Sequence, residues 1–148
     1  MAAYDPKTHR GLTFHDAAKD FAEGKSTPRA YLERCLETIA ERDGTVKAWV
    51  TYSAELGREA ADASAARWNA GRPLSPIDGM PIGIKDLLET KDFPTEMGCE
   101  AFKGNFPKRD NAAVWALREA GAIILGKVTT AELGGSHPPA TTNPFDPA

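Results

Sequence analysis

Residues Ala122-Ile123-Ile124-Leu125 form an unbroken apolar run directly after Gly121, and that run limits the fold more than any other stretch. A continuous apolar segment of strand length fits a sheet covered on both faces, whereas strict alternation would mark a strand with one wet face. Just upstream, Ala113, Val114, Leu117 and Ala120 share one helical face, with Asp110 placed to cap the helix and Gly121 just past its end. Helix, glycine, apolar strand is the cadence of an α/β layer. Such a strand needs neighbours. The expectation is therefore that these residues leave apolar surface and sheet edges uncovered when alone, and that they occur in a larger assembly, as a proteolysed remainder or as a swapped oligomer.

The N-terminal half reads as helical. Thr13 is placed to cap a helix through Ala22, and Thr27-Pro28 starts another whose apolar face is Tyr31, Leu32, Cys35, Leu36 and Ile39. Asp43-Gly44 is the expected end of that helix. Val46, Ala48, Val50 and Tyr52 alternate with Lys47, Trp49 and Thr51 as in a strand, and Ser53 then caps an alanine-rich helix to about Ala70, closed by Gly71 and Pro73. Ile82 to Lys85 reads as a short strand, and Leu87 to Pro107 as a loop punctuated by glycine, proline and lysine. The division expected is a helical part over about 1–72 and an α/β part over about 73–148.

Composition sets the broad class. The chain has 148 residues, 41% hydrophobic and 26% charged, ordinary values for a globular protein with a real core. A net charge of -3 supplies no electrostatic footprint for nucleic acid or an anionic membrane. Cys35 and Cys99 have neither metal-ligand spacing nor a disulfide framework, and His9, His15 and His137 form no metal pair. Cys35 reads as a small buried hydrophobe, Cys99 as an ordinary thiol and the histidines as solvent-facing. Met1 to Asp5 leads into no apolar run, and no stretch has spanning length, so the cytoplasm is the expected compartment. No metal and no cofactor are expected.

One residue carries the chemistry. Lys85 closes Asp78-Gly79-Met80-Pro81-Ile82-Gly83-Ile84-Lys85-Asp86, where an ammonium would lose hydration and be pushed towards its neutral form. A lysine so placed can act as a general base. The alternative is an exposed strand-end lysine whose stem covers apolar neighbours.

Pro81-Ile82-Gly83-Ile84-Lys85-Asp86 resembles the lysine motif of the amidase signature family of serine hydrolases. Three further blocks follow in that family's order: Arg109 to Val114 with Leu117 to Lys127, then Thr130-Ala131-Glu132-Leu133, then Thr142 to Pro147. The resemblance is dense from Ile77 to Pro147 and looser before it. It implies that residues 1–148 are the N-terminal portion of a single mixed-sheet α/β/α domain of that family. It also implies an amidase acting on linear amides through a serine acyl-enzyme, with Lys85 the base of a Ser–Ser–Lys triad. The two serines would lie beyond Ala148, so the fragment alone is expected to be inactive.

The resemblance bears on other residues too. Gly134-Gly135-Ser136 has the composition of a nucleophile loop but precedes Asn143, so it takes no such role; it corresponds to a loop near the substrate pocket, which makes Ser136 a candidate for lining it. A polar turn before Pro138-Pro139 is the other reading. Asp86 could orient Lys85 or be an exposed carboxylate at a helix start, and Lys127 receives a structural place. The expected partners are a small-molecule amide and the remainder of the chain or a homo-oligomer partner, with no nucleic acid and no membrane. The A subunit of a tRNA-dependent amidotransferase shares the lysine motif, but the wording of Lys127 to His137 favours a general amidase. A truncated, inert scaffolding piece is the non-enzymatic alternative.

Overall fold

Side-chain caps decide where three of the four α-helices among the described residues begin. The computed structural model describes residues 5, 7–11, 13–135 and 137–146. Helix α1 (Phe14–Ala22) follows Thr13, whose hydroxyl turns to the Asp16 carboxylate at 2.6 Å instead of capping the backbone. Helix α2 (Pro28–Val46) begins where Thr27 Oγ1 accepts the Ala30 N–H at 3.1 Å, with proline at the first position. Ser53 Oγ accepts the Leu56 N–H at 3.2 Å to open α3 (Ala54–Asn69). Asn111 caps α4 (Ala112–Glu119), its Oδ1 accepting from Ala113 N at 2.9 Å. The cap expected at Asp110 is therefore one residue too early. Asp110 instead accepts the Lys91 N–H and the Arg118 guanidinium, both at 2.8 Å.

Helix α2 also runs further than its glycine suggested. It passes through Gly44 and stops where Lys47 adopts a left-handed φ of 55°. Asp43 contributes from inside the helix, its Oδ1 accepting the Ala48 N–H at 2.7 Å as the chain leaves.

Among the described residues, three strands form one sheet in the order β1 (Trp49–Tyr52), β3 (Ile123–Val128), β2 (Pro81–Lys85). β1 is antiparallel to β3 and β2 is parallel to it, so the sheet is mixed. The apolar run is thus the central strand, and Ile123 to Lys127 are all buried. Ile123 and Leu125 pack with Leu32, Leu36 and Ala61 of α2 and α3, while Ile124 packs with Ile84 and Val114 of α4. Helices therefore cover both faces, as the run requires. A separate aromatic cluster joins Phe14 and Phe21 to Tyr31 and Trp68 through edge-to-face rings, seating α1 against α2 and α3.

Both ladders are irregular. Ile82 pairs with Ile124 but Gly83 with Gly126, so Leu125 is an extra residue in β3. Trp49 pairs with Val128 but Thr51 with Lys127, which makes Val50 extra in β1. The strand read from Val46 begins only at Trp49, because α2 runs through Val46; within it Trp49 and Thr51 are half-buried and the apolar Val50 and Tyr52 are exposed.

Gly126 is where β1 and β3 approach most closely. A β-carbon there would overlap the Thr51 carbonyl oxygen and lie 2.6 Å from Tyr52 Cα, both of them backbone. Gly126→Ala is expected to lower stability by about 1–3 kcal/mol, the usual cost of overpacking. A urea midpoint that falls while the slope stays constant checks this.

Candidate active site

Two consecutive side chains leave the end of β2 in opposite directions. Lys85 is exposed, on the same side as Gly83, while Asp86 is buried beneath the sheet end with Ile84. The dehydration expected of Lys85 is not found here; among the described residues its ammonium has no hydrogen-bond or ion-pair partner. Its main chain is firmly held. Lys85 pairs with Val128 in the ladder, and its carbonyl accepts the Leu87 N–H at 2.7 Å and the Leu88 N–H at 3.0 Å.

The buried lysine is Lys127. Its side chain is 0% exposed, and its ammonium reaches Asp86 Oδ1 at 2.9 Å, Thr95 Oγ1 at 2.7 Å and the Pro94 carbonyl at 3.1 Å. An ammonium has three N–H donors, so every one finds an acceptor. Asp86 is neither exposed nor at a helix start: a turn follows it, and its carboxylate also receives the Glu96 N–H at 3.2 Å. The Asp86 N–H continues the ladder to the Val128 carbonyl at 2.9 Å, and its carbonyl accepts the Met97 N–H at 3.0 Å.

The long loop after β2 is pinned to this pair. Thr95 and Asn105 exchange main-chain and side-chain bonds at 2.8 Å, and Met97 passes its carbonyl to the Leu133 N–H at 2.9 Å. The 131–135 stretch is held in turn by Glu132, whose carboxylate meets His137 Nδ1 at 2.6 Å. That bond, and a second from Cys99, hold the Glu132 carboxyl below its usual range. His137 is exposed as expected, but paired. The Ser136 candidate lies outside the described residues.

The entry to β2 is fixed by a second buried pair. Asp78 is fully buried and receives the Arg67 guanidinium in bidentate fashion at 2.6 and 2.8 Å, together with the Leu74 N–H at 2.9 Å. Gly121 adopts φ +91° beside it, and a β-carbon there would meet the Asp78 carboxylate at 2.6 Å. On the Gly83 side of the sheet, a cavity of about 450 Å³ is lined by Tyr31, Cys35, Ile39, Trp49 and Leu125. Lys85 is not among its lining residues, and burial pushes the Cys35 thiol above its usual value. Among the described residues no group of three or more His, Cys, Asp or Glu could hold a metal ion, and no helix is long and apolar enough to cross a membrane.

The mixed sheet between helical layers, with a lysine presented at the end of its parallel edge strand, has the architecture of the amidase signature enzymes. The chain belongs to the Amidase family, whose model matches residues 30–148. It is 34% identical over 142 residues to the glutamyl-tRNA(Gln) amidotransferase A subunit of Chloroflexus aurantiacus, covering 92% of this chain and 29% of that protein. A solved amidase structure is 30% identical, with a TM-score of 0.74 over 82% of this chain and 28% of that one. A bacterial aryl acylamidase of the amidase signature family, at 21% identity, shares the fold with a TM-score of 0.80 over 91% of this chain and 30% of its own. The chain thus spans less than a third of the length of these relatives.

Sequence reasoning singled out Lys85 as a candidate but missed how Asp86, Thr95 and Lys127 converge. The available signal was Lys127 itself, a charge two residues past the Ala122–Leu125 apolar run.

The Asp78 pair gives a pH prediction. Burial pushes the Asp78 carboxyl up, but the Arg67 and Leu74 hydrogen bonds outweigh it and hold the group below its ordinary 3.8. A carboxyl depressed on folding adds stability above its unfolded value and loses it as pH falls through the folded one. Asp78→Asn should therefore cost most near neutrality, with the gap to wild type narrowing below pH ~4. Urea midpoints of both proteins between pH 3 and 7 check this.

Proposed function

We propose that the complete protein cleaves the C–N bond of a linear carboxamide, with Lys85 as the proton acceptor. The supporting observation is the placement of Lys85: a lysine on an exposed strand end whose carbonyl and neighbouring Asp86 are immobilised. In the family mechanism a neutral lysine takes a proton from one serine, which deprotonates a second serine as it attacks the amide carbonyl. The C–N bond then breaks, the amine leaves with a proton, and water resolves the acyl ester. Both serines would belong to sequence beyond residues 1–148. Covering Lys85 with that further sequence would strip its water and favour the neutral amine that the role needs. The domain reading is of a piece with this: residues 1–148 supply the N-terminal portion of one amidase domain.

A second reading has its own support. The name of the Chloroflexus relative points to a chain that works within a glutamyl-tRNA(Gln) amidotransferase. The readings separate by assay. A general amidase hydrolyses small carboxamides unaided, whereas an amidotransferase chain would co-purify with partner proteins and pass on the nitrogen it releases.

Lys85→Ala in the complete protein is expected to lower amide turnover by about 10²–10⁴-fold, the range for losing a general base. The fold should stay intact, because among the described residues the Lys85 ammonium makes no hydrogen bond or ion pair for the substitution to remove. Turnover within about tenfold of wild type would rule Lys85 out as the base.

A further inference from the structure

We infer that Lys127 is a positioning residue, whose buried ammonium ties the strand end carrying Lys85 to the 94–97 segment and through it to the 131–135 loop. The inference rests on the Lys85 reading above. Three separate groups converge on one nitrogen: Asp86 at the exit of β2, and the Pro94 carbonyl and Thr95 hydroxyl from the loop. From Asp86 the connection continues through single bonds, its carbonyl to Met97 N at 3.0 Å and the Met97 carbonyl to Leu133 N at 2.9 Å.

Stability alone is a poor reason for this arrangement. A buried ion pair is often no better than well-packed apolar residues of the same volume. What a tetrahedral ammonium offers and an apolar side chain does not is direction, since each acceptor must stay where an N–H points. Asp86 is joined to Lys85 by one peptide bond, so a shift of its carboxylate swings the strand end. The other end of the connection holds the 131–135 loop, whose Gly134 and Gly135 belong to the stretch that the sequence resemblance sets near the substrate pocket. Lys127 therefore sets the distance between the base and that loop without touching the reacting atoms.

The test uses the complete enzyme. Lys127→Met is expected to lower kcat by about 10²-fold with KM within about threefold, the cost of misplacing a catalytic group by roughly 1 Å. Hydrogen exchange at the Met97 and Leu133 amides should rise at least about tenfold, as local opening there becomes easier. Thr95→Val, nearly isosteric, removes one acceptor and should move the same amides in the same direction; it decides the matter should Lys127→Met not fold. Wild-type protection at those amides, or a kcat within about threefold of wild type, would overturn the inference. Failure of the Lys85 reading shows elsewhere, as an active Lys85→Ala enzyme, and leaves the amide exchange to decide the tether.

Discussion

Everything in the sheet depends on β3 being paired on both edges and covered on both faces. β1 and β2 each have only β3 as a partner among the described residues, and neither makes a sheet without it. This explains the texture of the Ala122–Leu125 run, whose isoleucines and leucine meet helix on one side or the other. It also explains Gly126, since the antiparallel partner can come this close only where no β-carbon stands. Lys127 is the one charged residue in the strand. It is tolerated because every donor on its ammonium is met within the protein.

Much of this architecture was legible from the residues. The helix start at Thr27-Pro28, the cap at Ser53 and the doubly covered apolar strand follow from local chemistry, and the structure bears each of them out. Two local readings fail. Gly44 reads as a stop and Asp110 as a cap because local propensity favours both, yet neither holds in the fold. Arg118 and the Lys91 N–H draw Asp110 away from the helix start, and the α2 exit is set three residues after Gly44 by Lys47. The loop after β2 was unreadable for a related reason. Its order comes from bonds to Asp86, Asn105 and Lys127, which are separated in sequence and carry no periodicity.

The candidate site was half visible. Two lysines stand at the ends of short apolar runs in this chain, and each could have been the buried one. Parity along β2 sends Lys85 outward and Asp86 inward, and the inward carboxylate meets the cation coming from the neighbouring strand. A motif therefore identified the residue proposed for chemistry, while pairing between strands was needed to reveal its support. No spacing rule connects position 86 to positions 95 and 127.

The extra residue at Leu125 has a consequence for how such chains can diverge. It reverses the inside–outside phase of β3, so Leu125 faces α2 and α3 while Lys127 shares the Ile84 side with Asp86. One insertion or deletion between Ile124 and Lys127 would deliver the ammonium into the opposite layer, among Leu32, Leu36 and Ala61. That stretch is counted residue by residue. The exposed 100–106 excursion, by contrast, can gain or lose length without altering which side of the sheet any strand residue faces.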